Sequence, residues 1–281
     1  MKTCLVLEGG AMRGIYTAGV LDALLETKIK IDAIIGVSAG ALFGINYVSK
    51  QKGRALRYSL NYCDNKDYMG IHSLIKTGNV MNKEFCFDKL IYELDPFDFD
   101  TYNKSKTKFY ATVTNLKNGK PEYKEIKKFP EDLEYLRASG SMPLFSKIVE
   151  IDNNKYLDGA IGDSIPVKQA KKMGYDRIIV VTTQPLDFKK KPYNMLFFNL
   201  VYKKYPIFLE GIKNRYKLYN DTLDYIKKEE KKKNIFVIRP SRKIKISKLE
   251  KNREIIKEQY NLGYEDTKEL MSNLNKYIKG E

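Results

Sequence analysis

The chain has 281 residues, of which 43% are hydrophobic, and it contains 21 Tyr and 13 Phe. This length and composition predict a folded globule with a sizeable core and exclude a disordered chain. No stretch approaches the roughly 18 apolar residues that span a bilayer. The N-terminal apolar run is too short for a signal peptide and ends at Glu8, which predicts a cytoplasmic protein. Three widely spaced cysteines, Cys4, Cys63 and Cys86, favour free thiols over disulfides or a zinc site.

The formal net charge is +16 and is unevenly distributed. Residues 187–281 hold 24 Lys and Arg against 13 Asp and Glu, a net of +11, whereas residues 1–186 carry +5. A basic region favours an anionic partner such as phospholipid headgroups, but it is equally consistent with a lysine-rich solvated surface. The charge therefore leaves open a transient, peripheral contact with an anionic membrane. Nucleic acid is not expected, because the chain has no Trp and matches no nucleic-acid-binding module.

The first fifty residues predict the opening of an α/β fold. Residues 3–7 form a compact apolar run that ends at Gly9-Gly10, which indicates a buried strand followed by a glycine turn. Apolar residues recur at helical spacing between Arg13 and Thr27. Residues 33–37 then predict a second short strand, and residues 39–48 predict a buried helix. This succession is typical of a fold with a mainly parallel central sheet.

Residues 53–108 are weakly patterned and predict a helical insertion with loops. Beyond them, short strands and helices alternate, with strands predicted over residues 109–114, 148–151, 155–157, 177–183 and 235–238 and helices over residues 131–138 and 167–172. An amphipathic helical segment follows Ser247 and runs to about Ile278. These elements predict one α/β domain over residues 1–240 and a helical extension over residues 241–281 that packs on it.

Met195–Tyr202 is an apolar and aromatic segment with Lys189–Lys191 before it and Lys203-Lys204 after it. Such a segment can lie in an anionic membrane interface, with its rings buried and its ammonium groups on phosphates. Aromatic stripes more often mark protein cores, so packing on the sheet is the favoured prediction.

Gly36-Val37-Ser38-Ala39-Gly40 matches the pattern Gly-x-Ser-x-Gly. A nucleophilic serine must project from a strained strand-to-helix turn, and flanking glycines let the neighbouring backbone pass without a Cβ clash. The strand predicted before Ser38 and the helix predicted after it supply that context, and the helix dipole would favour an alkoxide. An ordinary Gly/Ser turn is the alternative, because the residues of this pattern are common.

A Ser-His-Asp triad needs a histidine, and the chain contains only His72. His72 lies 34 residues after Ser38 in a weakly patterned region, whereas α/β-hydrolases carry their histidine after the acid. His72 is therefore expected to be a surface or partly packed residue. A carboxylate within hydrogen-bond reach of Ser38 could take the serine proton instead.

Gly9-Gly10-Ala11-Met12-Arg13-Gly14 lies between the first strand and the first helix, where dinucleotide-binding folds carry their phosphate loop. The pattern Gly-x-Gly-x-x-Gly is broken at Ala11, and no Walker lysine follows. Backbone amides at a helix N-terminus equally stabilise an oxyanion, and the serine pattern one strand later favours that interpretation.

Four blocks of the sequence together resemble the patatin-like phospholipases, in the order of that family. They are Glu8–Gly14, Gly36-x-Ser38-x-Gly40, Ala138-Ser139-x-x-x-Pro143 and Asp158-Gly159-Ala160. Residues 235–270 also resemble the C-terminal region of a bacterial branch of the family. The chain departs from the pattern at Ala11, where many members have a third glycine.

The resemblance implies a patatin-like three-layer α/β fold and a lipid acyl-hydrolase that works through an acyl-enzyme, with no cofactor and no metal. Its substrate would be a lipid or another acyl ester. It implies Ser38 as nucleophile in an elbow with Gly36 and Gly40, and Asp158 as general base in a motif with Gly159 and Ala160. It also implies an oxyanion hole, formed by Gly9, Gly10, Ala11, Met12, Arg13 and Gly14.

Alternatives exist for the acid, for one arginine and for the function. A simple Asp-Gly turn is the alternative for Asp158, and its rivals are Asp152, in the predicted hairpin turn, and Asp163, outside the matching block. Arg13 could contact a substrate phosphate or lie on the surface. The alternative function is a catalytically silent lipid-binding or regulatory protein on the same fold, which an intact Ser38 and Asp158 disfavour.

Overall fold

A computed structural model describes residues 1–281, and its centre is one sheet of eight strands. The strands are β1 (Thr3–Leu7), β2 (Ala33–Val37), β3 (Lys108–Asn115), β4 (Pro121–Glu125), β5 (Val149–Ile151), β6 (Asn154–Asp158), β7 (Arg177–Val181) and β8 (Phe236–Ile238). Paired strands follow the order β5-β6-β3-β2-β1-β7-β8, and β4 pairs with β3. The neighbouring strands β3, β2, β1, β7 and β8 are parallel to one another. The strands β4, β5 and β6 make antiparallel pairs. The sheet is therefore mainly parallel, as the sequence predicts.

Ten α-helices accompany the sheet. They are α1 (Ile15–Leu25), α2 (Ala39–Val48), α3 (Arg54–Tyr62), α4 (Ile71–Thr77), α5 (Phe99–Lys104), α6 (Leu133–Ser139), α7 (Val167–Lys172), α8 (Leu196–Val201), α9 (Pro206–Lys231) and α10 (Arg253–Lys279). A π-helical segment spans Phe85–Leu94, and 3-10 turns cover Ala11–Gly14 and Gly159–Ile161. The predicted helical insertion consists of α3, α4, the π-helical segment and α5.

Alternate residues of the central strands face two different helical layers, because successive side chains of a strand point to opposite faces. Leu5 and Leu7 of β1 pack in a cluster with residues of α1, α2 and α10. Cys4 and Val6 of the same strand pack on the other face with residues of α7 and α9. Both faces of the sheet are therefore covered, which explains why its strands are continuous apolar runs in the sequence.

One edge of β3 brings the ends of β2 and β6 together. Thr112 of β3 pairs with Val37 of β2, and the next residue, Val113, pairs with Asp158 of β6. Both Thr112 and Val113 also pair with β4, which therefore occupies the opposite edge. It follows that β2 and β6 succeed one another along the same edge of β3. The residue after β2 and the last residue of β6 consequently lie next to each other.

The C-terminal helix α10 packs along α1 through two glycines. A Cβ at Gly19 would lie 2.0 Å from the Tyr260 carbonyl oxygen, and one at Gly263 would lie 2.1 Å from the Tyr16 carbonyl oxygen. The two helix backbones thus approach too closely for a side chain at either position. The predicted extension is in contact with the first helix of the sheet domain, while the boundary at residue 240 stays a prediction.

The strand β4 is not predicted by the sequence. All five of its residues are partly exposed, and it pairs only with β3. An edge strand of this kind needs neither an apolar run nor a clean alternation, so the sequence carries little sign of it.

The prediction that Met195–Tyr202 packs as a core helix is wrong for most of its length. Leu196, Phe197 and Leu200 are 65–70% exposed, and no residue of α8 is buried. The helix has six residues, and Phe198 and Tyr202 attach it to the cluster beneath it. Because one face suffices for that attachment, the remaining apolar side chains point outward.

Two composition-based expectations concern cysteines and membrane spans. All three cysteines are buried free thiols, as the sequence predicts. No helix combines the length and the apolar composition needed to cross a membrane. The cytoplasmic location stays a prediction.

Candidate active site

Ser38 occupies the turn between β2 and α2 in a strained backbone conformation. Its φ of 52° and ψ of −122° lie in a region that residues with a Cβ rarely adopt. A Cβ at Gly36 would lie 2.6 Å from the Ala41 Cα atom, and one at Gly40 would lie 2.6 Å from the Leu7 carbonyl oxygen. The turn therefore needs glycine at both positions, and it has the geometry of a nucleophile elbow.

The hydroxyl of Ser38 donates a hydrogen bond to Asp158, with 2.8 Å between Oγ and Oδ2. Both residues are buried, at 6% and 5% exposure. The other carboxylate oxygen, Oδ1, accepts a hydrogen bond from the Ala160 amide at 2.8 Å. Burial raises the pKa of Asp158 above its ordinary value, and the Ala160 amide, the charge of Arg215 and the Ser38 hydroxyl offset part of that rise. A carboxylate placed in this way is suited to accept the serine proton.

Gly159 lets the chain turn away from the sheet directly after Asp158. A Cβ at Gly159 would lie 2.1 Å from the Thr112 carbonyl oxygen, so a side chain would force the strands apart. The Thr114 hydroxyl donates to the Asp158 carbonyl oxygen at 2.9 Å. Asp158 is thereby fixed to β3, beside the residue that follows β2.

The loop over residues 9–14 approaches Ser38 from the end of β1. A Cβ at Gly9 would lie 3.0 Å from the Ser38 Cβ atom. The backbone amides of Gly9, Gly10 and Ala11 donate no hydrogen bond within the chain, which leaves them available to an oxyanion. Ala11 adopts a positive φ of 49°, a conformation in which glycine is the easier residue.

The other residues of the predicted oxyanion loop have internal partners or a packing role. The Met12 amide donates to a backbone carbonyl oxygen at 3.3 Å, and the Arg13 amide donates to the Gly10 carbonyl oxygen at 3.2 Å. A Cβ at Gly14 would lie 2.7 Å from the Ala39 Cβ atom, so this glycine allows close packing on α2. The free amides of the loop are thus concentrated in its first three residues.

The block over residues 138–143 holds both members of the Ser38–Asp158 pair, a role that the sequence does not indicate. The fully buried Ser139 hydroxyl accepts a hydrogen bond from the Ser38 amide at 2.9 Å. The Ser141 carbonyl oxygen accepts one from the Asp158 amide at 2.8 Å. The family-like order of the four blocks hints at this block, but its partners become visible only in the folded chain.

The rival candidates lie apart from the Ser38 hydroxyl. His72 on α4 is half-exposed, with its Nδ1 atom 4.0 Å from an aspartate of the neighbouring turn. Asp152 and Asp163 each accept a hydrogen bond from a tyrosine. None of the three is hydrogen-bonded to Ser38, whose hydroxyl donates to Asp158 alone.

An apolar cavity opens beside Ser38. Twenty of its 24 lining residues are hydrophobic, and about half of these come from α2, the π-helical segment and α6, with Leu42, Leu90, Leu133 and Leu136 among them. Its volume is about 90 Å³. Apolar cavities of roughly 150 Å³ hold one benzene ring, so this smaller cavity has room for a few carbon atoms of one chain and not for a bulky group.

Two family models match the chain. The model described as patatin-like phospholipase matches residues 5–171, which is more than half of the chain and includes both Ser38 and Asp158. A second model, described as a domain of unknown function (DUF6363), matches residues 205–279. The second match begins with α9 and includes α10.

Three relatives show the range of the similarity. An uncharacterized protein, YjjU of Escherichia coli K12, is 27% identical over 269 residues, which cover 93% of this chain and 75% of the relative. A probable lipid hydrolase, 463L of Invertebrate iridescent virus 6, is 28% identical over 201 residues, 64% of this chain and 69% of that protein. Lysophospholipase nte1 of Aspergillus oryzae is 28% identical over 193 residues, 65% of this chain but 12% of that protein.

The family match, the four blocks in their order and the fold point to one assignment. The match over residues 5–171 covers the sheet strands from β1 to β6 and the turn that carries Ser38. The central sheet flanked by helices, followed by a C-terminal helix, is the fold that the resemblance implies. The chain therefore belongs to the patatin-like phospholipase family.

Proposed function

We propose that this protein hydrolyses acyl esters of lipids, with Ser38 as nucleophile and Asp158 as general base. The observation that carries the proposal is the 2.8 Å hydrogen bond between two buried groups, one of them on a strained turn. Half-exposed His72 is the one histidine of the chain, which further supports a two-residue mechanism. The names of two relatives, a lysophospholipase and a probable lipid hydrolase, support a lipid substrate.

The reaction would proceed through an acyl-enzyme. Ser38 Oγ attacks the carbonyl carbon of the ester while Asp158 takes its proton, and the amides of residues 9–11 hold the oxyanion that forms. The tetrahedral intermediate collapses, and the leaving alcohol takes the proton back from Asp158. A water molecule then attacks the acyl-enzyme while Asp158 takes a proton from it. As the fatty acid leaves, Asp158 returns this proton to Ser38 Oγ, which restores the free enzyme.

The apolar cavity supports a lipid acyl group as the part of the substrate next to Ser38. Removing apolar surface from water contributes about 25 cal/mol per Å², so an apolar cavity favours an acyl group with several methylene groups over an acetyl group. The narrow volume favours one chain at a time.

A fluorophosphonate probe tests the nucleophile directly. The probe forms a covalent adduct with an activated serine, and peptide mass spectrometry would locate that adduct on Ser38. We expect labelling of the native chain and of His72→Ala, but not of Ser38→Ala. Absence of an adduct on Ser38, or labelling that depends on His72, would contradict the mechanism.

We also propose that α8 contacts an anionic membrane surface. Leu196, Phe197 and Leu200 are exposed on it, and Lys203 and Lys204 follow it, also exposed. Apolar side chains beside ammonium groups suit the boundary between acyl chains and phosphates. Co-sedimentation with vesicles measures this contact.

The position of α8 supports an interface near the active site. The Tyr202 hydroxyl, directly after α8, accepts a hydrogen bond from the Leu144 amide at 2.9 Å. Met142 in the same loop lines the apolar cavity beside Ser38. A bilayer in contact with α8 would therefore lie near the route by which an acyl chain reaches the cavity.

A further inference from the structure

Two buried tyrosines in the wall of the apolar cavity have hydroxyl groups that donate no hydrogen bond within the chain. Tyr58 on α3 and Tyr68, in the turn before α4, line the cavity and are 6% and 5% exposed. Other buried tyrosines donate to a carboxylate or carbonyl oxygen at 2.6–3.0 Å, namely Tyr16, Tyr102, Tyr156 and Tyr219. Because buried hydroxyl groups are normally satisfied, these two exceptions indicate an acceptor that comes from the cavity.

The neighbouring protein groups do not supply that acceptor. Burial raises the pKa of both phenols, so they stay protonated and able to donate. The Asn46 side chain acts to lower the pKa of Tyr58, and the Ser59 hydroxyl does the same for Tyr68. A neutral neighbour has this effect when it donates to the phenol oxygen, which leaves the phenol proton free. The Asn46 carbonyl oxygen already accepts a hydrogen bond from Arg54 at 2.9 Å.

The two phenols are neighbours in the cavity wall. A charge on Tyr58 would raise the pKa of Tyr68, and the Cys86 thiol acts on both phenols in the same direction. Cys86 also lines the cavity, and its Sγ atom is 3.3 Å from the Tyr68 carbonyl oxygen. Because a carbonyl oxygen has two lone pairs, two neighbouring donors can bind one such atom together.

The helix α2 shows how far these donors lie from the nucleophile. The Tyr58 ring stacks on that of Phe43, with 6.3 Å between the ring centres. Phe43 is five residues after Ser38, which corresponds to about 7.5 Å along the helix axis. An acyl chain attached to Ser38 reaches that depth at about its fifth carbon atom, the δ carbon. The donors are therefore placed to meet the chain and not the ester group.

Arg54 lies behind Tyr58 and favours donation by its hydroxyl. The guanidinium carbon is 5.4 Å from the centre of the Tyr58 ring, and its charge acts to lower the pKa of Tyr58, against the larger effect of burial. A positive charge beside a phenol polarises its O–H bond. The guanidinium donates to the Asp95 carbonyl oxygen and to Asn46, and the Asp95 carboxylate lies 3.4 Å away as its counter-charge. Because this group is already engaged, a neutral acceptor suits the cavity better than a carboxylate.

We propose that Tyr58 and Tyr68 bind an oxygen atom carried by the acyl chain itself, so that the cavity selects short acyl groups with a keto or hydroxyl group near the δ carbon. The inference rests on the proposed ester hydrolase and specifies its substrate class as esters of oxygenated acyl groups. A plain saturated chain would cover both hydroxyls and leave them without a partner, which is unfavourable. An oxygenated chain satisfies them and still covers the apolar wall.

A pair of nearly isosteric esters tests the proposal without turnover. Ser38→Ala protein is titrated with p-nitrophenyl δ-oxohexanoate and with p-nitrophenyl δ-methylhexanoate, in which a methyl group replaces the keto oxygen. We expect the keto ester to bind at least as tightly, because the tyrosines replace the hydrogen bonds that its carbonyl loses to water. A wall without free donors predicts tighter binding of the methyl ester, by about tenfold or more, since the keto group would be buried without a partner. That order would overturn the proposal.

Removal of single hydroxyl groups locates the effect. Tyr58→Phe and, separately, Tyr68→Phe in the Ser38→Ala background keep the ring and should each weaken binding of the keto ester about tenfold, while binding of the methyl ester stays unchanged. Tyr62→Phe is the matched control, because Tyr62 lies on α3 with its ring 6.4 Å from that of Tyr68 but does not line the cavity. Thermal unfolding identifies a variant that does not fold, and the other variant then decides. Two folded variants that keep the full affinity for the keto ester would overturn the site.

Failure of this inference and failure of the hydrolase proposal give different results. Native protein that cleaves p-nitrophenyl butyrate, but has a higher kcat/KM for the methyl ester than for the keto ester, would retain the hydrolase and overturn the oxygenated chain. Native protein that does not cleave p-nitrophenyl butyrate would contradict the hydrolase, whatever dissociation constants the Ser38→Ala protein shows.

Discussion

The two sides of the Ser38–Asp158 pair differ in chemistry. On one side lies a narrow cavity with 20 hydrophobic residues in its lining. On the other lie Arg13, Lys190 and Arg215, which surround the buried carboxylate of Glu8. Under the proposed function the pair would lie at a boundary, with an apolar wall for the acyl chain on one side and charged groups on the other. Removing the pair and narrowing the cavity should therefore have separable effects.

The largest effect is expected from the pair itself. Ser38→Ala and Asp158→Asn should each lower kcat/KM for p-nitrophenyl butyrate by about 10³-fold or more, because the nucleophile and its base act as one unit. For the same reason the double variant should be little worse than either single variant. Fully additive losses would show that the two residues act in separate steps, and His72→Ala provides the control that should retain activity.

The pH profile tests the environment of Asp158. Its pKa is raised by burial, and the carboxylate must be deprotonated to accept the serine proton. Activity should therefore fall as the pH drops through this raised pKa, by about tenfold per pH unit, and the midpoint should lie above the ordinary Asp value of about 3.9. Initial rates with p-nitrophenyl butyrate measure this fall in activity at low pH, and circular dichroism at each pH excludes unfolding as its cause. A constant rate down to pH 3.9 would contradict the assignment.

Narrowing the cavity should change the preference for acyl chain length. Leu133→Phe adds volume to a partly buried wall, so activity on a p-nitrophenyl ester of a long chain should fall about tenfold relative to the butyrate ester. Leu60→Phe is the control, since Leu60 is also partly buried but does not line the cavity. An equal loss on both chain lengths in Leu133→Phe would indicate general damage to the fold rather than a chain site.

The smallest effect is expected at α8. Replacing Lys203 and Lys204 with Gln should weaken co-sedimentation with phosphatidylglycerol vesicles a few-fold at low salt, since each surface lysine contributes about 1 kcal/mol at most. The matched control replaces Lys231 and Lys232, two exposed lysines at the far end of α9, roughly 40 Å along that helix. Equal losses in both pairs would mean that net charge, and not α8, determines binding. Equal binding to phosphatidylcholine would exclude an electrostatic contact.

Much of the fold could be predicted from local patterns. The strands over residues 3–7 and 33–37 and the helix over residues 39–48 have the predicted bounds, because strands covered on both faces are apolar throughout. The elements that local patterns missed or misjudged are at the periphery. β4 is polar along its length, and α8 has an apolar sequence but little to pack against.

The amino-acid sequence alone identifies the candidates for the chemistry, because the Gly-x-Ser-x-Gly pattern and a single histidine leave few choices of nucleophile and base. Only the tertiary structure brought Asp158 to Ser38, since 120 residues separate them and their meeting depends on β2 and β6 sharing one edge of β3. The same holds for Lys190 and Arg215. Their charge is visible in the sequence, but whether a lysine lies in water or among other cations depends on which helices pack together, and hydrophobic burial decides that.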